Sequence, residues 1–181
     1  MIIAIDPGTT ASAWAEMDGL TVHRHDLENN LAVLNWLDRR PGWREPPNVN
    51  DYLLADYLVI EMVASYGMPV GREVFETCVW IGRFLQAWGG PWEYVYRREV
   101  KSWLCQDSRA KDSNVRRAIL DMYPPAGGGK TPQVGTKAHP GPLYGVSKDV
   151  WSAIGVGLTY QKIDPHACSI AAQGQGTLEK Q

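Results

Sequence analysis

Two short stretches constrain the fold of this chain more than any other feature: IIAID at residues 2–6 and YLVIE at residues 57–61, each an unbroken apolar run ending on a carboxylate. Such runs suit strands covered on both faces, as at the centre of a parallel or mixed sheet. After the first run, Pro7 fixes its own φ and lacks an N–H, and Gly8 permits a tight turn. The chain therefore leaves the sheet with Asp6 at the strand tip. Taken alone, Asp6 reads as a turn residue as readily as a ligand. A second acid at the tip of a neighbouring strand would favour the ligand.

The intervening segment allows that arrangement. Ser12–Met17 alternates small and polar residues, Asp18-Gly19 is a hairpin signal, and Leu20–His25 alternates again. The alternation puts Leu20, Val22 and Arg24 on one face and Thr21, His23 and His25 on the other. His23 and His25 have no third metal ligand close in sequence and read as a polar sheet face. Asp26–Asp38, with Leu27, Leu31, Leu34 and Leu37 at helical spacing, predicts a helix. Residues 57–61 can then lie parallel to residues 2–6, with Asp6 and Glu61 at the sheet edge where sites form in open α/β sheets.

Beyond a Pro-rich loop at Arg39–Asn50, Ala64–Gly71 forms a loop carrying Tyr66, and Arg72–Trp88 forms a long helix. Its row of Val74, Cys78, Ile81, Leu85 and Trp88 is flanked by Phe75, Val79 and Gly82. That width fits a helix that covers the sheet and also meets a partner subunit, and plain burial explains it nearly as well. Glu93–Tyr96 predicts a fifth strand, and Glu99–Cys105 and Ser113–Tyr123 predict helices. The expected class is thus α/β: a mixed five-stranded sheet, three strands antiparallel then two parallel, flanked by helices. The Gly- and Pro-rich stretch 124–146 is expected to be a mobile loop. Its Gly129-Lys130-Thr131 is not a phosphate loop, because no strand precedes it and Pro132 opposes a following helix. Ser147 is the expected N-cap of a final helix with Asp149 in its first turn, where the helix dipole favours a carboxylate, and Ser152 on the same face. Residues 1–163 read as one domain and 164–181 as a disordered tail.

A chain of 181 residues can bury a substantial core, and its hydrophobic fraction of 44% is ordinary. No stretch reads as a membrane span or a signal peptide, and three scattered Cys indicate neither a disulfide framework nor a zinc knuckle. A cytoplasmic setting is expected. The net charge of −2 hides an asymmetry: Tyr94–Lys137 holds nine cations (Arg97, Arg98, Lys101, Arg109, Lys111, Arg116, Arg117, Lys130 and Lys137) against four anions. A basic segment on an acidic body fits a polyanion footprint, although a solvated helical face has the same composition.

Asp6, Glu61 and Asp149 are hard oxygen donors of the kind that suits Mg²⁺ or Mn²⁺, and paired ions of this type support phosphodiester hydrolysis. IAIDPG, LVIE, REVKSWL with AKDSNVRRAILDMYP, and YGVSKDVWSAIGVGL occur in an order that resembles the RuvC family of Holliday-junction resolvases, particularly its phage-borne branch. The resemblance implies an RNase H-like fold and a homodimer that uses two Mg²⁺ (or Mn²⁺) ions per active site to nick four-way DNA junctions, with no nucleotide cofactor and no membrane association. It assigns Asp6, Glu61 and Asp149 as metal ligands, and Ser152, at the family's further ligand position, is taken with them as the fourth member of the candidate catalytic set. It assigns Lys101 and Lys111 as DNA contacts and Tyr66 as an aromatic at the junction centre. Arg97, Arg116, Arg117, Lys130 and Lys137, with His139, are further candidate DNA contacts from the basic segment. One departure matters: many members carry an acid where Ser152 stands, and a hydroxyl is a poorer ligand for a hard cation. A nuclease acting on flaps, forks or RNA, and a non-cleaving junction-binding protein, remain alternatives. A sugar-kinase or actin-like ATPase needs two domains and about twice this length.

Overall fold

The computed structural model describes residues 1–40 and 57–162, so most of the Pro-rich loop and the whole tail lie outside the described residues. Five strands form one sheet in the order β3-β2-β1-β4-β5: β1 Ile2–Asp6, β2 Ala11–Asp18, β3 Thr21–Asn29, β4 Tyr57–Met62 and β5 Trp92–Tyr96. The first three strands are antiparallel neighbours, whereas β4 runs parallel to β1 and β5 parallel to β4. The expected mixed sheet is therefore present, and Ile5 pairs with Ile60, one residue short of the two acids.

Helices cover both faces. On one face Ile3, Ile5, Trp14, Leu58 and Ile60 pack beneath α1 (Asn30–Asp38) and α2 (Arg72–Trp88). On the other, Ile2, Ala4, Ala13, Ala15, Met17 and Val59 pack beneath α3 (Arg97–Cys105), α4 (Asp112–Met122) and α5 (Val150–Tyr160). A strand alternates its side chains, so Asp6 follows Ile2 and Ala4, and Glu61 follows Val59, onto the α5 face. Gly157 brings α5 close to the sheet: a Cβ there would stand 2.7 Å from Met17 Sδ and 3.2 Å from Ala4 Cβ.

Two expectations need correction. The helix predicted over Asp26–Asp38 begins only at Asn30, because β3 continues to Asn29 along the whole length of β2. Asn29 then caps α1 by accepting from the Ala32 N–H at 2.9 Å. The faces predicted for Leu20–His25 also change. An irregularity opposite Glu16/Met17 leaves His23 as an extra residue and reverses the alternation. Val22 and Leu27 join the α5-side core, while Arg24 crosses to the other face and lies over the Trp14 ring.

Residues 124–146 carry no helix or ladder strand but are tied to one another by backbone hydrogen bonds, among them Gly127 N–H to Pro132 O and Leu143 N–H to Gln133 O. Leu143 anchors the segment in the core. Gly135 (φ 77) has to be glycine on two counts, since a Cβ would also stand 2.3 Å from the Gly141 nitrogen. No described helix is long and apolar enough to cross a membrane.

Candidate active site

The turn after β1 is held by a buried polar network. Gly8 N–H donates to Ser12 Oγ (3.2 Å), Ser12 Oγ–H donates to Asn30 Oδ1 (2.7 Å), and Asn30 Nδ2 donates to Gly8 O (2.9 Å). Ser12 and Asn30 are each 1% exposed, so the network is the fixed mount behind the Asp6 strand tip. Neither residue carries a signal in the sequence that marks this role.

Four oxygen-bearing side chains gather on the α5 face. Asp6 ends β1 and Glu61 stands beside it on β4. Ser152 hydrogen-bonds to Asp6, and the Asp149 carboxylate is close enough to repel it. Asp149 is itself the N-cap of α5 and its side chain makes no capping hydrogen bond, so the cap falls two residues later than Ser147, the expected position. Preceding it, Lys148 has φ 46, a left-handed conformation that costs about 1 kcal/mol in a non-glycine residue.

A cation stands among these acids. Arg97, the first residue of α3, places one guanidinium nitrogen 3.5 Å from Glu61 Oε2 and the other 2.7 Å from Asp112 Oδ1. Lys101 Nζ braces the same Asp112 oxygen at 3.3 Å. The start of α3 is secured by Glu99, whose carboxylate accepts from the Tyr96 N–H at 2.7 Å. Burial pushes the Glu61 carboxyl up from 4.5 to about 8; the Asp6 charge adds to the rise and Arg97 opposes it. Burial likewise pushes Asp6 from 3.8 to about 6, with Arg97 opposing and Asp149 adding. The hydrogen bond from Arg97 holds Asp112 below the usual carboxylate range.

A groove of about 710 Å³ opens beside these groups, lined by Arg97, Asp112, Arg116, Arg117, Lys148, Asp149, Trp151 and Ser152 among others. The Arg116 guanidinium lies 4.9 Å over the Trp151 ring, which holds a positive charge at the groove wall. Arg97, Arg116, Arg117, Asp149 and Ser152 are thus brought together, with Asp6 and Glu61 adjoining. Lys111, Lys130, Lys137 and His139 are exposed and do not line the groove. Tyr66 (φ 47, 55% exposed) lines a different groove with Tyr94, Tyr96, Arg98 and Trp103. Asp112, Lys148 and Trp151 were not anticipated. Asp112 precedes the expected helix start at Ser113, and neither a left-handed lysine nor a ring beneath an arginine has a periodic signature.

As placed, no three His, Cys, Asp or Glu side chains among the described residues converge into a preformed metal site. The donors Asp6, Asp149 and Ser152 adjoin and suit one hard cation with water completing its shell. On the other side Glu61 Oε2 faces an Arg97 guanidinium nitrogen at 3.5 Å, so a cation of the chain's own already stands beside that acid.

Solved structures share this architecture. Thermus thermophilus RuvC superimposes with a TM-score of 0.55 at 15% identity, covering 96% of this chain and 96% of that one. The fold is that of RuvC. T. thermophilus RuvC in complex with a Holliday junction substrate gives 0.53 at 13% identity, covering 89% and 92%. At such identities the likeness to RuvC is one of fold. No protein-family model matches the chain, and no curated protein matches it significantly.

Proposed function

We propose that this chain is a divalent-metal-dependent, structure-selective DNA endonuclease of the phage-type RuvC branch that resolves four-way junctions as a cytoplasmic homodimer. The observation that carries the reading is the shared face of Asp6 and Glu61 at parallel strand tips, with Asp149 at the start of α5 and the Arg116/Arg117 groove beside them. The RuvC of the same fold is seen with a Holliday junction, which supports branched DNA as the substrate class.

Asp6 and Asp149, with Ser152, would hold Mg²⁺ or Mn²⁺, which on binding lowers the pKa of a bound water and neutralises phosphate charge. The chain's own groups do the rest. Arg116, Arg117 and Lys148 contact backbone phosphates, Tyr66 contacts unpaired bases from a separate groove, and the exposed Lys111, Lys130 and Lys137 extend the electrostatic footprint, with the half-buried Lys101 held on Asp112. Hydrolysis breaks one P–O bond; the water oxygen ends on phosphorus and its proton on the departing sugar oxygen. Phe75 and Val79, 63% and 62% exposed on α2, form the proposed partner-facing row.

The test is a panel of synthetic four-way junctions, Y-forks, flaps, duplexes and RNA hairpins with Mg²⁺ or Mn²⁺. Paired, symmetric nicks confined to four-way junctions are expected. Cutting of forks, flaps or RNA instead would assign another nuclease substrate, and tight junction binding with no cutting would make the chain a non-cleaving binder.

A further inference from the structure

The geometry points to Arg97 as the replacement for a second metal ion: the centre takes one divalent cation on the Asp6–Asp149 side, and the Arg97 guanidinium supplies the second positive charge on the Glu61 side. This rests on the nuclease reading above and concerns how its site is charged.

Three observations carry it. First, one approach to Glu61 is taken. A Mg²⁺ about 2.1 Å from Oε2 on the side facing α3 would collide with the guanidinium nitrogen that stands 3.5 Å from that atom. Second, the guanidinium is held from both ends. Glu61 and Asp112 pull on opposite nitrogens, Lys101 steadies Asp112, and Arg97 is anchored as the first residue of α3. Arginine keeps its positive charge at every working pH. Third, the donors divide unevenly. Asp149 and Ser152 bear on Asp6, whereas Glu61 faces Asp6 and the Arg97 guanidinium, whose charge also reaches Asp6.

A fixed guanidinium at this place does part of what a second ion does. It presents N–H donors in one plane toward a non-bridging phosphate oxygen and offsets the charge that gathers there as the P–O bond breaks. It does not bind a water as a metal does, so activation of the attacking water is left to the one ion.

Mn²⁺ binding counted by electron paramagnetic resonance of the free ion tests this without reference to turnover. Wild type should take up one tightly held Mn²⁺ per chain, Asp149→Asn should lose it, and Arg97→Ala and Arg97→Gln should each gain a second. In parallel, the Mg²⁺ dependence of junction cutting should be first order in wild type and steeper in the Arg97 variants, which should need several-fold more Mg²⁺. Two Mn²⁺ per wild-type chain, or one per chain in both Arg97 variants, would overturn the inference. One Mn²⁺ in wild type and two in the variants, with no cutting of any DNA, would uphold it while removing the nuclease reading. No Mn²⁺ bound at all would remove both.

Discussion

Replacing Glu61 by Gln should change how stability depends on pH, and the size of the change follows from the site. In the folded chain, burial raises the Glu61 carboxyl from 4.5 to about 8. Below 4.5 the group is protonated folded or unfolded and costs nothing. As pH rises from 4.5 toward 8, the unfolded chain releases the proton while the folded chain keeps it, so stability falls by about 1.4 kcal/mol per pH unit and levels off above 8, a total of at most ~5 kcal/mol. Asp6, raised from 3.8 to about 6, adds a smaller loss of at most ~3 kcal/mol that is complete by about pH 6. The two contributions therefore separate between pH of about 6 and about 8, where Glu61 alone is titrating. Urea denaturation in EDTA, followed by tryptophan fluorescence across this range, should show wild type losing up to ~3 kcal/mol that Glu61→Gln keeps. Against a usual domain stability of about 5–15 kcal/mol, such a difference is easily read. Parallel profiles for the two proteins between about pH 6 and about pH 8 would refute the reasoning, because they would mean that Glu61 is solvated or fully neutralised by Arg97 in the folded state.

Asp149→Asn should abolish junction cutting and leave junction affinity within about twofold in a gel-shift titration, since on the proposed function Asp149 holds the metal, and its carboxylate caps nothing. Lys111→Ala should weaken binding and reduce the slope of log affinity against log salt by about one, as expected for one lost phosphate contact. Gly157→Ala should destabilise by about 1–3 kcal/mol in thermal or urea unfolding through its clash with Met17, whereas Gly82→Ala, whose Cβ meets nothing within 4 Å, should stabilise α2 by about 1 kcal/mol. Phe75→Glu should convert a homodimer to a monomer in light scattering, with Val79→Glu as a second probe of the same exposed row.

What was legible in the sequence and what was not divide along a physical line. A strand buried on both faces writes itself as a continuous apolar run, so β1 and β4 and the acids at their tips were readable. The long apolar period of α2 made its limits readable too. Apart from the strand faces reversed by the extra residue His23, the misreadings fall where a helix begins. The leucine spacing that predicted a helix from Asp26 is satisfied in part by a strand, because Leu27 is needed to pair with Ala13, and the cap is made only at Asn29, where β3 ends. Helix α3 starts at Arg97 rather than Glu99, α4 at Asp112 rather than Ser113, and α5 is capped by Asp149 rather than Ser147. Periodicity reports which face an element buries and is silent about its first turn, where side chains are aimed at other elements. The charge of Arg97 was plain from the sequence as one of nine cations in a basic stretch. Its position was not, because that depends on two helix starts and a strand tip meeting at one point: α3 brings the guanidinium, α4 brings Asp112 to hold it, and β4 brings the Glu61 oxygen it faces. The candidate site of this chain is built at such ends, so a shift of one or two residues at a helix start, negligible for recognising the architecture, decides whether Arg97 is read as a DNA contact or as a resident charge of the candidate site.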